Sequence, residues 1–291
     1  MPLAHIEFQP KLATLEARVD LQWKLDWYGG CLWMDGRIGD HCSTVWTGKA
    51  VRLSVYFLGS GCVSSGVKCS YTRKALAEVH KLAKLRAKWV VTKSWCDLDD
   101  TARWQRAPSL VLAVPRYTDN TPVRHGGNWR CVPVCTLPLP DLARERLTGW
   151  NSDMDALYRV WMDSGALEFD AAAEMADCRG QIMTTAREFA AGIEEATGVP
   201  TYVELFRYCC FGDNESKRRC PGCGGSWLRK KKGYGIASFE FRCDRCRVVS
   251  EIGIGDEIPK EARRGEWRAG RKPIESAASI RNRVRRGTLI L

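Results

Sequence analysis

Cys220-Pro221-Gly222-Cys223 and Cys243-Asp244-Arg245-Cys246 are two cysteine pairs of the same internal spacing, separated by 19 residues. Two residues between cysteines make a tight knuckle that points both thiolates at one ion while N–H groups of the turn bond to sulfur. Gly224 and Gly225 follow the first pair, where the turn calls for positive φ. The spacer suits a β-hairpin, and Phe239-Glu240-Phe241-Arg242 alternates as a strand does. The pattern predicts a zinc ribbon with one structural Zn2+ held by Cys220, Cys223, Cys243 and Cys246. Four thiolates fill a tetrahedral shell and leave no position for water, which argues against a catalytic metal. Ordinary buried thiols fit poorly, because Arg, Lys, Gly and Asp surround these cysteines and do not build an apolar core.

The 291 residues suffice for one large domain or two smaller ones, and the 45% apolar content is that of a folded chain. No apolar run reaches membrane-spanning length, and Met1-Pro2-Leu3-Ala4-His5-Ile6-Glu7 lacks the charge and apolar pattern of a secretory leader. A cytoplasmic location is expected. The other ten of the fourteen cysteines, including Cys209-Cys210, are irregularly placed and suggest free thiols in a reducing compartment. Cys31 with His41-Cys42, Cys62 with Cys69, and Cys131 with Cys135 lack knuckle spacing and read as small buried apolar residues.

Charge is unevenly divided. Residues 215–291 hold 20 of the 45 Lys and Arg and 9 of the 34 Asp and Glu, so the whole net charge of +11 lies there and residues 1–214 are neutral. The expected organisation is α+β: a mixed α/β body over 1–208, a β-hairpin zinc ribbon over 209–252 and a basic tail over 253–291.

Within the body, His5 to Phe8 reads as a strand. Pro10 to Tyr28 reads as a helix carrying Leu12, Leu15, Val19, Trp23 and Trp27 at helical spacing and closed by Gly29-Gly30. Val51 to Phe57 alternates as a strand, Arg73 to Lys88 is helical, and Trp89-Val90-Val91 adds a third strand, for a β-α-β-α start. The loop Gly61 to Lys68 misses the phosphate-cradling pattern, with its lysine one position late and Cys69 in place of Ser or Thr. Trp95 to Asp100 holds three carboxylates and reads as a solvated loop or cap. Ser109 to Val114 reads as a buried strand and Cys131 to Val134 as an edge strand. Ser152-Asp153-Met154-Asp155 reads as a capping box opening a helix, Ala171 to Thr197 as a longer helix stopped by Gly198 and Pro200, and Thr201 to Tyr208 as a strand.

Several of these segments carry a resemblance. Thr197-Gly198-Val199-Pro200-Thr201-Tyr202, Leu205-Phe206-Arg207-Tyr208, Arg219 to Gly225 and Phe241 to Arg247 resemble a bacterial family of uncharacterised Zn-ribbon-containing proteins with a nucleic-acid-binding label. The similarity is strongest over about residues 150–252 and implies a C-terminal ribbon, a cytoplasmic location and a nucleic-acid partner, but no reaction. His125-Gly126-Gly127-Asn128 departs from the family pattern, which often has cysteines there, and the tail beyond Glu251, with ten basic residues, is this chain's own.

A nucleic-acid interface would draw phosphate contacts from Lys217, Arg218, Arg219, Arg229, Lys230, Lys231, Lys232, Arg242, Arg245 and Arg247, with base stacking on Trp227 and Tyr234. The bland reading of the same residues is neutralisation of a tetrathiolate centre and cover for a small ribbon core. The alternative function is a protein-binding module, such as an immunity (toxin-neutralising) or adaptor protein, with purely structural zinc and tryptophans such as Trp23, Trp27, Trp33 and Trp46 as anchors. An enzyme is not expected. His5, His41, His80 and His125 share no motif, and there is no nucleophile elbow, HExxH or cofactor fingerprint, so neither a small-molecule cofactor nor a membrane is expected as partner.

Overall fold

In a computed structural model of the chain, the described residues are 3–10, 14–64, 69–84, 89–92, 101–116, 121–208, 212–229, 233, 235–253, 270, 272–287 and 289. The fold is α+β with a C-terminal cysteine cluster. The chain divides into two compact units. One comprises Met1–Thr101, Pro133–Thr136 and Pro140–Thr148, the other Ala102–Val132, Leu137–Leu139 and Gly149–Leu291. Among the described residues no helix is long and apolar enough to cross a membrane.

The first unit is an antiparallel sheet in the order β2 (Ile38–Thr47), β3 (Ala50–Phe57), β1 (Leu3–Phe8), β4 (Val90–Thr92). Val51, Leu53, Val55 and Phe57 point to the core while Arg52 and Tyr56 point out, the period-two pattern of a half-buried strand. Strand β2 escaped sequence reading because its polar segment Asp40 to Thr44 hides the alternation. Helices α1 (Leu15–Met34), α2 (Ser60–Ser64) and α3 (Ser70–Ala83) belong to this unit, as do Pro133–Thr136 and Pro140–Thr148. Helix α2 takes part of the expected 61–68 loop, while residues 65–68, 85–88 and 93–100 lie outside the described residues.

Helix α1 corrects two expectations. It opens at Thr14, whose Oγ1 accepts the Ala17 N–H at 3.2 Å, and it runs through Gly29-Gly30 to Met34. Gly29 serves close packing rather than capping, since a Cβ there would stand 3.0 Å from Cys42 Sγ. The core face is Leu21, Leu25, Tyr28, Cys31 and Leu32. The expected stripe of Leu15, Val19, Trp23 and Trp27 faces solvent, and Leu12 lies outside the described residues.

Charge is buried at the end of α1. Asp35 accepts Arg37 Nε at 2.7 Å on one carboxylate oxygen and Arg144 Nε at 2.7 Å on the other. Arg37 also donates to the Cys62 carbonyl, and Arg144 to Asp141.

The second unit holds a mixed sheet in the order β6 (Val123–His125), β5 (Leu110–Leu112), β7 (Thr201–Glu204), β9 (Val248–Ser250), β8 (Phe241–Cys243). β5, β7 and β9 run parallel, and β6 and β8 pair antiparallel at the two ends. The three parallel strands are buried on both faces and are largely apolar, with Glu204 at the end of β7 buried and paired with Arg116. The ribbon hairpin β8–β9 is therefore hydrogen-bonded into the same sheet as β7.

Helices α4 (Asp141–Asp163), α5 (Glu168–Ala176), α6 (Gln181–Thr197) and α7 (Ala277–Arg285) bring further corrections. Ser152 opens no helix, because α4 already starts at Asp141 and the ladder begins with Arg144 N–H to the Pro140 carbonyl. The expected 171–197 helix is two, split where Asp177 Oδ1 accepts the Arg179 N–H at 3.0 Å and its carbonyl accepts Gly180 N–H at 2.8 Å. Gly198 caps α6 in the left-handed region at φ 72°, as expected. Cys131 to Val134 is no strand. Cys131 makes an isolated bridge with Arg124, and the proline-interrupted chain turns into a 3-10 helix in which Thr136 N–H bonds the Pro133 carbonyl.

Candidate metal centre

The four cysteine sulfurs Cys220, Cys223, Cys243 and Cys246 lie within 4.8 Å of one another, and Cys223 and Cys243 sulfurs are 3.7 Å apart. Zn–S bonds of about 2.3 Å in a tetrahedron put sulfurs about 3.8 Å apart, so the donor set fits such an ion. The knuckles shape it. Cys220 N–H donates to the Gly225 carbonyl at 3.0 Å, Gly224 N–H bonds the Cys220 carbonyl at 2.8 Å, and Gly224 sits at φ 72° as the turn demands. Gly222 answers a different need, because a Cβ there would come within 2.9 Å of Cys246 Sγ and 2.7 Å of Ile274 Cδ1.

Packed together without an ion, the thiols cannot all ionise. Cys243, bonded by the thiols of Cys220 and then Cys246, is held well below the usual thiol range, while those two neighbours are pushed well above it. A cation relieves the same crowding. Arg187 of α6 is buried nearby. Burial lowers its pKa, and the Cys178, Cys246 and Cys220 thiols with Glu275 oppose that shift.

The described residues of the spacer pair as the two sides of a hairpin arm. Arg242 N–H bonds the Trp227 carbonyl at 2.8 Å and Arg229 N–H bonds the Glu240 carbonyl at 2.7 Å. Trp227, expected as a stacking platform, is instead 2% exposed, packed on Phe241 and donating its Nε1–H to the Arg218 carbonyl. So small a ribbon needs its largest ring as core.

The basic residues divide by role. Arg218 lies 4.3 Å over the Phe241 ring, donates to Ser250 Oγ and pairs with Glu215. Arg229 and Arg242 converge on Asp244 at 2.7 Å each, and Asp244 also accepts the Tyr202 hydroxyl at 2.6 Å. Partial burial raises the Asp244 carboxyl, but Tyr202 and the two arginines outweigh it and hold it at about 2. Arg247 clamps Glu194 with two bonds of 3.1 and 2.9 Å. These four arginines are thus engaged within the protein. Lys217, Arg219 and Arg245 are exposed, and Lys230, Lys231, Lys232 and Tyr234 lie outside the described residues.

The tail contributes what sequence reasoning missed. Ile274 N–H bonds the Gly222 carbonyl at 2.9 Å and Ala277 N–H the Arg245 carbonyl at 3.3 Å, so both knuckles hold the start of α7. Ser276 caps that helix. Arg281 pairs with Glu194, Arg283 with Glu188 and Glu275, and Arg285 with Glu195. Arg281, Arg283 and Arg285 thus meet acidic residues of α6. Glu188, Glu194 and Glu195 were visible in the sequence, but nothing local linked them to residues about 90 positions away.

Glu194, which also accepts the Thr201 N–H, is the hub between α6, the second knuckle and α7. Glu194→Ala is expected to cost about 2 kcal/mol, because it strands Arg247 and Arg281 without their carboxylate. Urea unfolding of the metal-loaded protein measures this, and a midpoint equal to wild type would contradict the hub role.

Fold and cluster together define an α+β protein whose C-terminal four-cysteine centre can hold a metal ion. The chain belongs to a bacterial family of uncharacterised proteins represented in Haemophilus influenzae. One relative from that organism, titled only "Uncharacterized protein", is 30% identical over 157 residues, covering 53% of this chain and 76% of the relative. A second, of the same title, is 28% identical over 182 residues, covering 62% and 69%. Residues 105–206 match a domain of unknown function, DUF2310, and residues 212–255 match another, DUF8594. Neither description names a metal or a partner. No solved structure matches the chain.

Proposed function

We propose that the chain is a non-enzymatic zinc-ribbon protein that acts by binding, with its ion a structural element tying the β8–β9 hairpin, the first knuckle and α7 together. The convergence of four thiol sulfurs within 4.8 Å carries this reading. All four positions are taken by protein sulfur, and a tetrahedral all-thiolate set suits zinc and leaves no place for a substrate. Elemental analysis of the purified chain tests it: one zinc per chain, with four thiols released to a thiol reagent on chelation, is expected. Iron as the bound metal, or metal far below one per chain, would overturn it.

Nucleic acid is the partner favoured by the exposure of Lys217, Arg219 and Arg245 on the ribbon. Among the described residues, Arg218, Arg229, Arg242 and Arg247 are engaged internally. Each phosphate contact adds about −0.9 to the slope of log K against log salt on duplex DNA, so loss of Arg219 or Arg245 is expected to flatten that slope by about one unit. A salt titration with Arg219→Ala and Arg245→Ala beside wild type reads this directly. Absence of binding at about 150 mM salt would remove nucleic acid and leave the protein-partner alternative.

A further inference from the structure

Helix α1 is apolar on both sides. Its inner face fills the core of the first unit, yet Leu15, Val19, Trp23 and Trp27 are 77%, 50%, 72% and 57% exposed. A spacing of four keeps them neighbours along one ridge, and two largely exposed tryptophans on one ridge mark an interaction face rather than scattered surface apolarity. We propose that this ridge docks against the same ridge of a second copy of the chain, antiparallel and two-fold about position 21.

Three features select that occupant. First, the two-fold sets Trp27 against Leu15 of the second copy and Trp23 against Val19, so every large ring meets a smaller aliphatic group; parallel pairing would set ring on ring. Second, the charges at the flanks match. Arg18 and Asp26 border one side of the ridge and Glu16, Asp20 and Lys24 the other, and a two-fold axis pairs each flank with itself. Arg18 then falls within about 3 Å along the axis of Asp26 of the second copy, and Lys24 falls between the second copy's Glu16 and Asp20, at 1.5 Å rise per residue. Arg18 is already held on its flank, with its guanidinium 5.3 Å over the Trp46 ring, and Trp46 Nε1–H donates to Gln22 at 3.1 Å. Third, the area is adequate. With aromatic side chains offering about 150–250 Å² each, the four residues supply on the order of 1,000 Å² over two copies, the low end for a specific interface. This proposal stands on residues of the first unit and does not depend on the metal centre.

Sedimentation equilibrium of the full-length, metal-loaded chain from about 1 to 500 µM tests it. A monomer–dimer equilibrium is expected, and Trp23→Asp should weaken it by more than about 30-fold. Arg18→Glu alone and Asp26→Arg alone should each weaken it about tenfold, because each sets like charges together twice. An equimolar mixture of those two variants should restore wild-type association through a heterodimer, a recovery that misfolding cannot produce. Monomeric wild type throughout, or a mixture no tighter than its components, would overturn the proposal. Co-sedimentation of monomeric protein with phosphatidylcholine vesicles would assign the ridge to a lipid surface and overturn it equally.

Discussion

Cys243→Ser is expected to abolish stoichiometric metal binding and to unfold the ribbon together with α7. Serine is a poor ligand for a soft-donor site, and three thiols do not close a tetrahedral shell. Binding of a structural zinc releases about 10–16 kcal/mol in small metal-folded domains, comparable with or larger than the stability of a typical protein. Cys243 ends β8, β8 pairs with β9, and β9 pairs with β7, so the loss enters the sheet directly. It also reaches the tail, because the knuckle carbonyls of Gly222 and Arg245 hold Ile274 and Ala277. Metal content should fall far below one per chain, the near-UV signal of Trp227 should collapse, and trypsin should cut at Arg281, Arg283 and Arg285. Cys42→Ser, at an exposed thiol in the first unit, should leave all three readouts unchanged. Retained stoichiometric zinc with an intact near-UV spectrum in Cys243→Ser would refute the assignment.

The second large effect lies in the other unit. Asp35→Ala should destabilise the chain by about 3–5 kcal/mol, the range for removing one partner of a buried ion pair. Asp35, Arg37 and Arg144 are 1%, 2% and 5% exposed, and the single carboxylate serves both guanidinium groups at 2.7 Å. Arg37 also donates to the Cys62 carbonyl and Arg144 also pairs with Asp141, so the substitution removes the one carboxylate that both guanidinium groups share. Chemical denaturation followed by far-UV circular dichroism gives the value. A loss below about 1 kcal/mol would show that water or a neighbouring acid replaces Asp35. Asp35→Asn separates the contributions, since the amide oxygen still accepts one bond while the charge is gone.

The four-cysteine cluster was legible because its code is local. Four residues at two knuckle spacings, with Gly224 after the first, prescribe geometry without reference to the rest of the chain. Strands β1, β3, β5 and β7 and the Gly198 stop were legible for the same reason, since alternation, an apolar run or a cap is written within a few residues. Misreadings fell where local signals were indifferent. The 171–197 periodicity continues through the turn at Asp177, and the capping pattern at Ser152 has no force inside a helix already begun at Asp141.

Local sequence prescribes the four cysteines and their spacing, the mixed helix and strand content, and the concentration of positive charge after residue 214. Tertiary structure alone decided what the charges and rings are for. Helical periodicity in α1 identifies two apolar faces but cannot say which one the sheet covers, and packing chose Leu21, Leu25, Tyr28 and Leu32, leaving Trp23 and Trp27 outside. Net charge counts arginines without their partners, and folding placed Arg247 and Arg281 on Glu194 and Arg229 and Arg242 on Asp244. A carboxylate reached only through the fold turns a cation into an internal strut, because at contact distance the pairing outweighs the attraction of a distant phosphate.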